Sequence, residues 1–274
     1  MIVPAVLMAL AGCGATPVQG GLHRQSSADS THHDSANPIA QPAVFQEVNY
    51  TAAIYNVGER WPFVVFDEQT GTVEVGPMSL AHERIIVAEP SLFASKQARA
   101  NWRANGSPGV LLSPSDPPRE GDVPHFSFLG QGVPLGYEEA RNLSSDPQTL
   151  EQEVARHVSP RSPRRPSARR MLEAYGLLLG RAPLTPGVRN AMYVDTRHVA
   201  GARGCGEDTD LLGRRGPGVC VKGEGMTVEL LLDRRTRAVL AVEQRLAARS
   251  PLYPGLRPGT LVESRMIVRA RSPH

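Results

Sequence analysis

Aromatic side chains are scarce: Phe, Trp and Tyr make up 5% of the 274 residues. With 24 prolines and 26 glycines as well, the chain has material for a modest core cut by many turns. Lysine is almost missing. Only Lys96 and Lys222 occur, and the rest of the 30 basic residues are arginine, an imbalance we attribute to the codon usage of a high-GC genome. No apolar run reaches the roughly 18 residues that a transmembrane helix needs. There is no Gly-x-Ser-x-Gly elbow, no His-Glu-x-x-His and no phosphate-binding loop. These absences point away from an enzyme and to no cofactor. A net charge of +3, without a basic patch interleaved with aromatics, gives no signal for nucleic acid. What remains, 41% hydrophobic and 21% charged residues, is the composition of a globular body.

Residues 1–12 are apolar and end in Leu10-Ala11-Gly12, with Cys13 next. Small residues before a cysteine let a peptidase approach the backbone, and the thiol can then carry a diacylglycerol. This resembles the lipobox of bacterial lipoproteins. Residues 1–13 are read as a signal segment that ends at the lipidated Cys13, which places the protein on the extracytoplasmic face of the cell membrane through a lipid anchor. The segment is short and lacks Lys or Arg, which leaves the true start codon open. Residues 14–43 are rich in Ser, Gly, Pro, Gln, Asp and His and have no apolar periodicity. They read as a disordered tether spanning roughly 30 Å. His23, His32 and His33 fall inside it without the Cys or carboxylate that a metal-ligand spacing would need.

Residues 44–271 read as a single α+β domain. Strands are expected at 48–57, 61–66, 71–75 and 84–88, with a turn at Asp67-Glu68-Gln69-Thr70-Gly71 between the second and third. A short helix is expected over 95–104, and a long loop with one strand near 123–129. Asp146-Pro147 starts a helix that turns Leu150 and Val154 inward. Residues 156–170 form an Arg/Pro-rich linker, a solvated lead-in or a contact for anionic head groups. Ser167 then opens a helix that Gly180 ends, and Thr185-Pro186 opens another; together they make a helical hairpin with an apolar stripe. Strands at 198–206, 219–222, 226–232, 238–246 and 261–270 supply the sheet that covers it. The expected fold is a curved antiparallel sheet, a half-barrel, packed on a helical hairpin and short helices.

Cys205 and Cys220 are equidistant from a turn centred on Leu212-Gly213, so they are expected to oppose each other across a hairpin. Opposed cross-strand residues lie about 4.5–5.5 Å apart at Cα, within disulfide range. A structural disulfide is the reading; the alternatives are two buried free thiols or a redox-active pair. The spacing is not Cys-x-x-Cys, which argues against thioredoxin-like chemistry. Glu207, Asp208 and Asp210 are read as the polar, weakly held tip of this hairpin and not as a calcium loop, so no metal is expected. His82, His125 and His198 are scattered.

The chain also resembles an actinobacterial family of membrane-anchored proteins of uncharacterised function, often encoded beside sigma factors. The blocks that carry the likeness are Phe93-Ala94-Ser95 through Trp102, Pro134-Leu135-Gly136-Tyr137-Glu138-Glu139, Ser144 to Pro147, and Ala182-Pro183-Leu184-Thr185-Pro186 through Tyr193. It continues in Gly213 to Val219, Leu231-Leu232-Asp233 through Leu240, and Pro258-Gly259-Thr260. None is a catalytic motif. A member of that family has a transmembrane helix where this chain has a lipobox, and the cysteine pair is no part of its pattern. The resemblance implies a plan similar to the lipoprotein-carrier-like half-barrel, in which a curved sheet wraps apolar helices. Two functions follow as expectations. One is a surface-anchored, non-enzymatic binding or sensory module with a membrane partner linked to a sigma factor. The other is a carrier or chaperone for an apolar ligand, a lipid or a lipoprotein, held in the half-barrel.

Overall fold

Alternation of side chains along the first strand sets up the architecture. In the computed structural model, β1 (Ala43–Tyr55) turns Phe45 and Glu47 to one side and Val48 and Tyr50 to the other. The structure describes residues 42–55, 63–87, 92–93, 96–104, 119–129, 134–159, 165–253 and 256–268. Cys13, the 14–41 part of the tether and Trp61 lie outside the described residues.

β2 (Phe63–Val75) runs antiparallel to β1 from Tyr55↔Phe63 to Ala43↔Val75. The turn expected at 67–71 is not made. Each of those residues is in register with β1, from Thr51↔Asp67 to Glu47↔Gly71, and ladder hydrogen bonds along the full strand outweigh the local turn preference. β3 (Ala81–Val87) and the two-residue β4 (Leu92–Phe93) both pair with β2. α1 (Lys96–Ala104) follows, then β5 (Arg119–Val123), which pairs with β3. The strand expected near 123–129 thus lies earlier, and the loop after it buries Phe128 and Leu129 instead.

Three of the next four helices start on caps written in the sequence. In α2 (Tyr137–Arg141) the Glu139 carboxylate accepts from the Gly136 amide at 2.9 Å. Asp146 accepts from the Thr149 amide at 2.9 Å to start α3 (Pro147–Val158), whose Leu150 and Val154 are fully buried. Thr185 caps α5 (Pro186–Asp195) through the Val188 amide. Between them α4 (Ala168–Arg181) buries nine consecutive or near-consecutive positions from Met171 to Gly180. The Arg/Pro-rich stretch is divided: Arg156 and His157 close α3, Ala168 opens α4, and residues 160–164 lie outside the described residues.

The C-terminal half is a meander of β6 (Arg203–Thr209), β7 (Arg215–Gly223), β8 (Met226–Leu232), β9 (Val239–Leu246) and β10 (Leu261–Val268). β10 pairs with β1, giving one antiparallel sheet in the order β5-β3-β2-β1-β10-β9-β8-β7-β6, with β4 beside β2. Among the described residues β5 and β6 are the sheet's outer strands, so the fold is α+β with an open sheet.

α4 lies on one face of this sheet, against β7, β8, β9 and β1. Leu172, Leu178, Leu230 and Leu232 are fully buried in that layer, each contributing about 1.5–3 kcal/mol. Gly180 does not end α4, as its residue type suggested. It and Gly176 are where the helix touches the sheet. A Cβ on Gly176 would sit 2.7 Å from Val242 Cγ2 and 2.8 Å from Leu230 Cδ1, and one on Gly180 would collide with Ile267. The last residue of α4, Arg181, makes a buried ion pair with Glu47 and stacks over the Phe45 ring at 5.7 Å.

Candidate functional site

The other face of the sheet carries a polar row. Strand register places Arg203, Cys220, Glu229, Glu243, Ser264, Tyr50 and Glu68 opposite one another on β6, β7, β8, β9, β10, β1 and β2. Directly opposed residues share a face, and this one is turned away from α4. Leu231, Leu240, Ala241 and Met266 pack beside the row with Val48 and Tyr50, which shelters its middle. Cys220, Glu229, Glu243 and Ser264 are buried there.

At the outer end sits the Cys205–Cys220 disulfide, with Cα atoms 5.9 Å apart. The pairing is as expected; the register is not. Thr209↔Arg215 through Gly206↔Gly218 centre the turn on Leu212, and a register shift between Gly204 and Gly206 makes Cys205 the extra residue of a bulge. Cys220 therefore lies opposite Arg203. Gly206, at φ +91°, supplies the backbone conformation that lets β6 carry the extra residue.

Next in the row come two buried carboxyls, Glu229 and Glu243, directly opposed. Gly218 makes room for the first: a Cβ there would collide with Glu229 Oε1 and lie 3.5 Å from Cys205 Cβ. One guanidinium serves three acids. Arg245 Nη2 donates to Glu243 Oε2 at 2.6 Å and to Asp208 Oδ2 at 3.4 Å, while its Nε stays 3.8 Å from Glu229 Oε2. The Ser264 hydroxyl donates to Glu243 Oε1 at 3.4 Å. Burial raises the Glu229 pKa, and Asp208 adds to the effect against Arg245. Burial likewise raises that of Glu243, opposed by Arg245 and Ser264. Further along, the Tyr50 hydroxyl donates to Glu68 at 2.6 Å, and burial together with that carboxylate pushes the phenol up to about 12.

The three acids read as one polar tip separate in the fold. Glu207 pairs with Arg234 and Arg215 at the surface, and Asp208 joins the row through Arg245. Asp210 is buried, and the tip is firmly held. Its carboxylate accepts from the Leu212 amide at 3.0 Å, the Arg214 amide at 2.9 Å and Arg214 Nε at 2.7 Å. Arg214 in turn donates to the Ile267 carbonyl at 3.0 Å and the Leu240 carbonyl at 2.7 Å. The histidines stay apart: His82 bonds Asp122 and Glu120 on β5, His125 lies in the turn that follows, and His198 lies beyond α5. Glu229, Glu243, Arg245 and Ser264 were missed in the sequence. The signal available was a lone glutamate inside the apolar run Met226–Leu232.

Open cavities lie beside these elements among the described residues. A groove of about 680 Å³ between α3, α4 and the segment after α5 has Met171 and Tyr175 at its floor and Glu151, Arg156, Asp195 and His198 among its walls. Burial raises the Asp195 pKa there, with His198 opposing. A cleft of about 510 Å³ follows β6 and β7, lined by Arg197, Arg203, Val219 and Leu232. No protein-family profile, curated protein or solved structure matches the chain.

Proposed function

We propose that the protein is a bacterial lipoprotein, held on the extracytoplasmic face of the cell membrane by an acylated Cys13, whose body is a non-enzymatic binding or sensory module. The sequence Leu10-Ala11-Gly12-Cys13 supports the anchor. One observation favours the module over an apolar-ligand carrier. A half-barrel carrier needs its cavity between helix and sheet, and there Gly176 and Gly180 bring α4 into contact with Leu230, Val242 and Ile267. The groove between α3, α4 and the segment after α5 is the surface offered to a ligand instead, apolar at its floor and charged at its walls. The resemblance to sigma-factor-linked, membrane-anchored proteins suggests a membrane partner. Two measurements test the reading. Cys13→Ser should release the protein from the membrane fraction and abolish globomycin-sensitive processing; retained attachment with unchanged mobility refutes the anchor. Native mass spectrometry of the full chain from a lipid-containing host should show no lipid beyond the covalent anchor; a bound acyl chain would favour the carrier.

A further inference from the structure

We propose that the Cys205–Cys220 pair, once reduced, forms with Glu229 a binding site for a thiophilic divalent cation such as Zn²⁺, so that the disulfide is the closed state of a redox-gated metal site. The two sulfurs and a Glu229 carboxyl oxygen all lie within 4.8 Å of one another. Two thiolates and a carboxylate are a donor set suited to zinc, and a fourth position is left for water or a further ligand. The fold prepares this arrangement in three ways. Register puts Glu229 directly opposite Cys220. Gly218 vacates the space that the Glu229 carboxyl fills beside Cys205. The bulge leaves Cys205 exposed while Cys220 is buried, which gives a reductant and then a cation a path from solvent.

Charge supports the same conclusion. Carboxyl oxygens of Asp208, Glu229 and Glu243 also lie within 4.8 Å of one another. Arg245 makes its close contacts to Glu243 and Asp208, so Glu229 is the least neutralised of the three. Arg203, opposite Cys220, is exposed and open to solvent screening. With the disulfide intact the sulfurs have no charge to offer. A dithiol reductant delivers two electrons and two protons to the S–S bond, yielding two thiols and its own disulfide. Binding then exchanges the two thiol protons for the cation, and the protons pass to solvent.

The test uses the untagged full chain with Cys13→Ser, so that only Cys205 and Cys220 can contribute thiolate. Co²⁺ is the probe, because cobalt–thiolate bonds absorb in the near ultraviolet. The phosphine-reduced protein should bind one equivalent with that absorption and show a raised melting temperature; the oxidised protein should show neither. Glu229→Gln should weaken binding at least about tenfold, and Cys220→Ser should remove the thiolate band. Reduced wild-type pairs should also resist maleimide alkylation in the presence of Zn²⁺, a readout that needs no variant at Glu229. The proposal is overturned if reduction adds no thiolate band, if the melting temperature of the reduced protein ignores the cation, or if Zn²⁺ leaves alkylation of Cys205 and Cys220 unchanged. Undiminished affinity in a folded Glu229→Gln protein removes the carboxylate from the site and overturns it as stated.

Discussion

Ile267 fills the space that a side chain at position 180 would need, which makes Gly180→Ala a sharp probe of how α4 meets the sheet. Alanine favours a helix over glycine by about 1 kcal/mol. Overpacking against the Ile267 side chain should more than cancel that and leave a net loss of about 1–3 kcal/mol in urea denaturation. Ile267→Val in the same chain should return part of the loss, because it removes the Cδ1 atom that the new methyl meets. Tyr50 gives a pH prediction. Its phenol, near 10 in an unfolded chain, is pushed up to about 12 by burial and Glu68, so the folded chain holds the proton more tightly. Stability from this source is complete below about pH 10 and is lost as pH climbs to about 12. Tyr50→Phe should remove that part of the alkaline decline, read as melting temperature against pH beside the phenolate absorbance. Single residues were unevenly legible. The caps at Asp146 and Thr185 act over three positions and can be read locally. Gly180 could not, because the residue that decides its role lies on β10.

The β6–β7 hairpin is closed by two devices, one near each end. Near the open end is the disulfide, whose reduction should cost roughly 3 kcal/mol in the chain-entropy picture, measurable as a shift in the urea midpoint with and without a phosphine reductant. At the turn is the Asp210–Arg214 pair, with the Asp210 side chain fully buried. Asp210→Ala would strand the Arg214 guanidinium and the Leu212 and Arg214 amides, and should destabilise the folded chain by about 3 kcal/mol. Hydrogen exchange at the Leu212 and Arg214 amides checks it; both should lose protection. The hairpin itself was visible from the paired cysteines and the intervening polar turn. Its bulge was not, because a slip of one residue depends on the positive φ of Gly206 and leaves no mark in spacing. Nor was the buried Asp210. The carbonyls that hold its partner come from Leu240 and Ile267, strands that no local pattern ties to this turn.

Across the whole molecule, most strands were recognisable from their own residues, and their order was not. The meander from β6 to β10 follows the chain, whereas the pairing of β1 with β10 joins the two ends of the described body. The buried Glu47–Arg181 pair ties that seam to α4, a contact between a strand and a helix far apart in sequence. Ending the chain at Thr260 would remove β10 and leave both β1 and β9 with an open edge in the middle of the sheet. Such a protein should be oligomeric or aggregated by light scattering where the full chain stays dispersed. The seam also has a consequence in time. At roughly 5–20 residues per second, β1 leaves the ribosome on the order of ten to forty seconds before β10 does. For that interval β1 can pair with β2 but lacks its other neighbour, so the backbone edge that β10 will take stays open. Every newborn chain thus passes through a stage when its centre is its most adhesive part, and a holding chaperone would find its target there.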